Sequence, residues 1–385
     1  MEPVNTSFTR LLGITVPVVS PPMALATTTH HAAEATRGGG FGFLGAAFTP
    51  PEKLREDLAS LRKTYPDLGD KPLPVGVGLI AWMLDADEEA AKAKIDAILD
   101  NNVKAFWLAF GTDIHRWIQY ARTSPGTARS QHKPLIFVQA TSVDEALLAA
   151  NEWKADVIVA QGSSLSIPTA DCLGCARTRT ISACCLSSTY NYNTRHCLPG
   201  TEAGGHGGAH APSTFTFVSE LLAALPPNNA PPILAAGGLA NGTQAAAYLT
   251  LGAAGVVLGT RFTLTPECPW PPAEHKPVLL AANSGSTVRT LAMDYALGLY
   301  GWPEGLNGRG IRNKIYEDLE GGVSHETLRE RFAKAAEEGS TEYAVIFSGQ
   351  GVTLMHEIKP VKEVMEELHA DIVRQLRRSQ GLLQV

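Results

Sequence analysis

The sequence predicts an α/β protein built on a (β/α)8 TIM barrel, with a smaller helical domain inserted late in the chain. Three observations carry this. Eight short apolar runs rich in branched residues recur, each followed by glycine, proline or small polar residues and then by a helical pattern. The runs do not alternate with polar residues, which marks strands of a parallel sheet covered on its outer face. Of the 385 residues 44% are hydrophobic and only 18% charged, the make-up of a buried α/β enzyme rather than of a disordered or coiled-coil chain.

The runs cover residues 16–20, 41–45, 75–80, 105–110, 135–139, 157–161, 233–236 and 255–259. Segments 51–64, 86–101, 142–153 and 241–251 between them read as amphipathic helices. A strand-to-strand spacing of about 20 to 35 residues is that of an ordinary βα unit, and eight such units close a barrel. An open doubly wound sheet is the alternative, but no G-x-G-x-x-G follows the first run, which speaks against a dinucleotide fold.

One gap is out of scale. From Gln161 to Ile233 the spacing is roughly doubled relative to an ordinary unit, and the excess is 163–200, rich in serine, threonine and cysteine. Cys172, Cys175, Cys184, Cys185 and Cys197 all fall there, so the clustering belongs to the segment and does not argue for secretion. Three readings stand. One is a metal knuckle on Cys172-x-x-Cys175, although the later spacing fits no standard site, and no metal is expected. Another is a long loop, uncommon inside a compact domain. The preferred one is a translated, unspliced intron, because its removal joins Gln161-Gly162 to Thr201-Glu202 and restores an ordinary spacing.

After Phe262 a proline-rich break spans 265–272, and 277–283, 309–319 and 324–337 then read as helices. Residues 344–351 return to the barrel. Residues 360–378 close the chain as an amphipathic helix with Val361, Val364, Met365, Leu368, Ile372, Val373 and Leu376 on one side. The expected domains are a barrel of 1–262 plus 346–385, a helical lid of 263–345, and an anomalous insertion at 163–200.

Charge narrows the partners. A net charge of −6 gives no reason to expect nucleic acid or an anionic membrane. The charge-free stretch 231–260 is broken by Gly237-Gly238, Asn241-Gly242-Thr243 and Gly252, so it reads as strand, helix and strand rather than as a membrane span. Residues 1–10 lack a signal pattern, and a soluble cytoplasmic protein, with room for a homo-oligomer, is expected.

The stretch Thr201-Glu202-Ala203-Gly204-Gly205-His206-Gly207-Gly208 crowds glycines around one histidine. Glycine lets a flat or anionic ligand approach the backbone, and histidine exchanges protons near neutral pH. The stretch reads either as a base held beside a ligand or as a turn with an incidental histidine. The loops after the seventh and eighth strands, Gly237-Gly238-Leu239 and Leu258-Gly259-Thr260, offer backbone N–H groups where barrels of this kind hold phosphate. Tight turns needing glycine for geometry alone are the alternative. Pro21-Pro22-Met23-Ala24 ends the first strand as a rigid apolar corner that could lie against a flat ring or serve as a plain turn. Gln161 and Gln350 could pair with a heteroaromatic edge or be surface amides.

Taken in order, Pro-Pro-Met-Ala after the first strand, Gln-Gly and the glycine-histidine motif after the sixth, Ala-Gly-Gly-Leu after the seventh and Leu-Gly-Thr-Arg-Phe after the eighth resemble the nitronate monooxygenase family, formerly 2-nitropropane dioxygenases. The resemblance covers nearly the whole chain except 163–200. It implies FMN across the barrel mouth, with its ring near Pro22, Met23 and Ala24 and contacts from Gln161 and Gly204. It places the ribityl phosphate on Gly238, Leu258, Gly259 and Thr260, Gln350 near the cofactor edge, and His206 as the catalytic base. Many relatives carry an asparagine where this chain has Gly78, which puts a contact there in doubt. The implied activity is oxidation of alkyl nitronates, and of neutral nitroalkanes if His206 takes the proton, by O2 to carbonyl compounds and nitrite. A nitronate needs an electron acceptor that side chains lack, so a flavin suits it. The resemblance also leaves two rival readings, an FMN-dependent NAD(P)H enoyl-thioester reductase and a catalytically impaired FMN-binding relative.

Overall fold

The computed structural model describes residues 2–124, 126, 132–162, 202–209, 212–226 and 230–383. Six parallel strands come first: β1 (Val18–Ser20), β2 (Phe41–Gly45), β3 (Leu73–Ile80), β4 (Val103–Ala109), β5 (Leu135–Ala140) and β6 (Val157–Gln161). A seventh, β7 (Gly205–Gly208), belongs to another sheet, and β8 (Ile233–Ala236) and β9 (Gly255–Val257) complete the first. Pairing of Val18 with Val256 and of Val19 with Val257 joins β9 back to β1, so the eight strands form a closed barrel. All eight expected runs are barrel strands, with ends shifted by a few residues.

The barrel is filled by rings. Phe43 from β2 meets Trp107 from β4 and Phe137 from β5 edge-on, each with ring centres 5.0 Å apart. Such bulk from one strand demands space from its neighbour. A Cβ at Gly76 of β3 would lie 2.2 Å from the Phe43 ring, so glycine is what lets that ring point inward. At the N-terminal end the helix Ser7–Leu12, capped by Thr6, sets buried Phe8 against Phe137 at 6.1 Å and stoppers the barrel. The C-terminal ends of the strands are the end left for a site.

The outer helices follow local signals. Asp87 caps Glu88–Asp100, with Glu88 and Glu89 in the first turn, and Ser142 caps Val143–Asn151. Val361–Gly381 buries Val361, Val364, Met365, Leu368 and Ile372, an i, i+3, i+4 stripe, against the helices Gly242–Leu251 and Thr29–Arg37. The first of those contacts is close. A Cβ at Gly242 would come 2.4 Å from the Leu368 carbonyl oxygen.

The segment after the barrel, expected to be mostly helical, is less so. It contains the helices Lys276–Ala281, Lys314–Glu320 and His325–Glu337, but also strands β10 (Thr287–Thr290) and β11 (Leu306–Ile311). The helix expected at 309–319 therefore begins only at Lys314, where Asn313 caps it, and Arg309 to Ile311 are strand. The strand hides in the sequence because Gly308 and Gly310 stand where Phe347 and Met293 press on the backbone, with a Cβ 2.7 and 2.5 Å from their side chains. β11 pairs antiparallel with β10 and with β7, so the glycine-histidine stretch is itself a strand. The anomalous 163–200 lies outside the described residues. Among the described residues, no helix is long and apolar enough to cross a membrane.

Candidate active site

A large pocket opens at the C-terminal mouth of the barrel and is lined by residues at or just past the strand ends, among them Pro21, Gly45, Ile80, Gln161, Gly237 and Gly259. Together with the open solvent at its mouth, it takes in about 1580 Å3. Two bulky residues on its wall, Leu25 and Phe110, hold left-handed backbone with φ of 64° and 61°. That conformation is costly for side chains with a Cβ and clusters where structure is shaped around ligands.

His206 sits on β7 opposite Gly308 of β11. Arg289 of β10 ties these strands together, its Nη2 donating to the carbonyl oxygens of Gly207 at 2.7 Å and Asn307 at 2.6 Å. The barrel reaches the histidine through two amides. Gln139 Nε2 donates to Gln161 Oε1 at 2.6 Å, and Gln161 Nε2 donates to the His206 carbonyl oxygen at 2.7 Å. Gln161 thus places the histidine's backbone while keeping a second N–H and a second lone pair for a ligand.

The imidazole itself is held on three sides. Its Nε2 lies 2.7 Å from Asp294 Oδ1, on the short helix Ala292–Ala296. The indole of Trp302 stacks on it with centres 3.6 Å apart and planes 7° apart, and Phe347 leans on it at 5.0 Å. A Cβ at Gly308 would lie 3.3 Å from Nε2 and 2.7 Å from Phe347, so glycine clears this corner. Asp294 is fully buried, and its Oδ2 has no partner among the described residues. Sequence reading missed Asp294, Trp302 and Gln139. The one signal for Asp294 was a lone acid in the apolar run Leu291 to Ala296.

Pro22, Met23 and Ala24 line the same pocket as a corner at the end of β1. The corner is held down on β2, where a Cβ at Gly45 would come 2.4 Å from the Met23 carbonyl oxygen. Gly204, Gly238, Gly259 and Thr260 also line the pocket. Gly237 and Gly238 have φ of 118° and 73°, a turn that needs glycine. The 349–351 turn presses on this loop so closely that a Cβ at Gly351 would fall 2.2 Å from the Gly238 carbonyl oxygen. Two expected contacts are not on the pocket wall. Leu258 is fully buried in the core, with its N–H given to the Val19 carbonyl oxygen, and Gln350 gives its backbone N–H to Glu202. Gly349 and Gly351, on either side of Gln350, line the pocket instead.

This wall suits a phosphorylated flat ligand. A Cβ at Gly259 would meet nothing tighter than ordinary van der Waals contact, with Met23 Sδ at 3.6 Å and Pro21 Cγ at 3.9 Å. Thr260 Oγ1 already accepts from the Gly349 N–H at 2.9 Å, which leaves its own proton to donate. The Glu202 carboxylate comes close, with Oε2 2.7 Å from where a Gly238 Cβ would stand. Burial pushes that carboxyl above its usual value. Arg261 does not reach the cradle, because its Nη1 donates to the Glu357 and Leu264 carbonyl oxygens.

Comparison with known proteins follows the same outline. The family described as nitronate monooxygenase matches residues 5–165 and 196–371. A nitronate monooxygenase of Neurospora crassa is 29% identical, with 94% of this chain and 91% of that protein covered. One from Metarhizium robertsii is 28% identical over 91% and 89%. Among solved structures, FabK from Thermotoga maritima superposes with a TM-score of 0.69 at 23% identity, covering 98% of this chain and 99% of that one. Nitroalkane oxidase from Streptomyces ansochromogenes gives 0.66 at 23% identity, covering 97% and 99%. At that identity both structures speak to the fold.

Proposed function

The chain belongs to the nitronate monooxygenase family and is an oxidoreductase, and on that premise we propose that it uses FMN and O2 to convert alkyl nitronates to carbonyl compounds and nitrite. The observation that carries the reading is the placement of His206, braced by Asp294 and Trp302, on the wall of the same pocket as the glycine cradle.

In this reading Gly238, Gly259 and Thr260 hold the phosphate through backbone N–H groups and the Thr260 hydroxyl. Pro22, Met23 and Ala24 lie against the ring, and Gln161 and Gly204 meet its edge. Leu258 and Gln350 only anchor the turns that carry Gly259, Gly349 and Gly351, their backbone N–H groups being given to the Val19 and Glu202 carbonyl oxygens. Bound FMN supplies the electron acceptance and the reaction with O2 that side chains cannot provide. Residues 263–345 serve as the substrate lid, since Asp294, Leu297, Leu299 and Trp302 all come from them.

The remaining work falls to His206. A neutral nitroalkane is acidic at the carbon bearing the nitro group, and a neutral imidazole beside it can take that proton to leave a nitronate. When nitronate is supplied directly, no proton need be taken and the ring orients the anion. Phe110, Leu297, Leu299, Trp302 and Phe347 keep water from the reacting carbon.

The test is an O2 electrode and a nitrite assay on the FMN-loaded chain, with nitroethane and with its nitronate, in the absence of NAD(P)H. O2 uptake matched by nitrite is expected. A chain that stays colourless in riboflavin 5′-phosphate sinks the proposal, and flavin bleaching that depends on NAD(P)H favours the enoyl-thioester reductase instead.

A further inference from the structure

We infer that Asp294 is a positioning residue that fixes the tautomer and plane of His206 for proton abstraction from carbon, so that neutral nitroalkanes, and not only preformed nitronates, are substrates of this site. This rests on the reading of His206 as the base given above.

The pair is built as such a device. A carboxylate only accepts hydrogen bonds, so the 2.7 Å contact requires the proton of the neutral ring to be on Nε2. The lone pair is then on Nδ1, which makes no hydrogen bond among the described residues. Trp302, stacked nearly parallel to it at 3.6 Å, prevents the ring from turning out of its plane. Asp294 is fully buried, and one of its oxygens lacks any partner among the described residues. Burying a carboxylate so poorly paired is costly. A purely structural role would be served as well by an amide or an apolar side chain, whereas a carboxylate also meets the charge that proton uptake places on the ring. The indole face over that ring attracts the same positive charge.

The step balances without an oxidant. The C–H bond next to the nitro group breaks, and its electron pair forms the carbon–nitrogen double bond of the nitronate, with the negative charge on the nitro oxygens. The proton goes to Nδ1, and the resulting imidazolium keeps its Nε2–H on Asp294. A preformed nitronate skips this step and asks less of the pair.

Proton abstraction can be read without any flavin turnover, as exchange of the α-protons of nitroethane in D2O followed by NMR. The wild-type chain is expected to accelerate exchange over buffer. Asp294→Asn keeps the shape but can present the wrong tautomer, and is expected to slow exchange by about 10²–10⁴-fold. Oxidation of the preformed nitronate should fall by a much smaller factor, and Asp294→Glu should recover part of the exchange. The inference is overturned if Asp294→Asn loses both activities equally, or if its exchange is undiminished. A wild-type chain that oxidises nitronate but does not speed exchange also overturns it, while leaving the proposed function standing. One that does neither overturns both.

Discussion

Pro22 occupies the space that any side chain at Gly78 would need. A Cβ built on Gly78 falls 2.2 Å from both Cβ and Cγ of the Pro22 ring. An asparagine here cannot be accommodated unless the Pro-Pro-Met-Ala corner moves, and that corner is the proposed seat of the flavin ring. Gly78→Ala is expected to cost roughly 1–3 kcal/mol by overpacking, and Gly78→Asn to weaken FMN binding further. Thermal melts of the apo-protein and fluorescence titration with FMN measure the two effects. Unchanged values in both would mean that the corner yields freely and that the glycine has no part in shaping the site.

Just before that corner, Ser20 Oγ lies 2.9 Å from His31 Nε2 in the core. Burial, helped by the like charges of His30 and Lys276, pushes His31 down from 6.5 to about 4. The sign follows from proton counting. Between those values the unfolded chain binds a proton that the folded one refuses, so stability falls as the solution is acidified. At 1.36 kcal/mol per pH unit, this group alone should remove about 2 kcal/mol between pH 6.5 and pH 5. His31→Gln, which cannot titrate, should show a shallower loss of melting temperature over that range. Parallel curves for the two proteins would contradict the assignment.

The barrel was legible because its strands are buried on both faces and so read as unbroken apolar runs. Their ends were less so. β1 starts at Val18 and β9 stops at Val257, both inside the apolar runs that predicted them. The second sheet escaped because the Leu306–Ile311 strand carries glycines and an arginine in place of branched residues, each glycine yielding to a side chain distant in sequence. The site divides in the same way. His206 and the glycine turns advertise themselves, because backbone geometry and proton chemistry restrict the residue types. Asp294 is 88 positions from His206, and nothing local announces that the two will meet.

The pocket wall also bears on the substrate. Of the described residues that line it, His206 and Asp294 are the ones that ionise, and the rest near the histidine are apolar, such as Ile80, Phe110, Leu297 and Leu299. A carboxylate tail would be desolvated there without a cation to meet it. The nitronate of a simple nitroalkane should therefore exceed propionate 3-nitronate in kcat/KM by about tenfold or more, the effect of little over 1 kcal/mol. Leu299→Arg should narrow the difference through KM. Equal kcat/KM for the two nitronates in the unmodified chain would show that a cation reaches the tail.

The last expectation concerns the interruption at 163–200. The side chain of Gln161, on one side of it, bonds the backbone of His206 on the other at 2.7 Å, so the two flanks are already joined at the site. The family match stops at 165 and resumes at 196. A chain lacking 166–195 retains residues 163–165 and 196–201, nine residues that span up to about 30 Å. That is ample for flanks held by one side chain. Such a chain is expected to bind FMN at least as tightly, and to release nitrite from ethyl nitronate at least as fast, as the full chain when the two are assayed side by side. If removal raises turnover sharply, the segment obstructs the site, as a retained intron would. If removal abolishes FMN binding, the segment is a working part of the protein, and the intron reading is wrong.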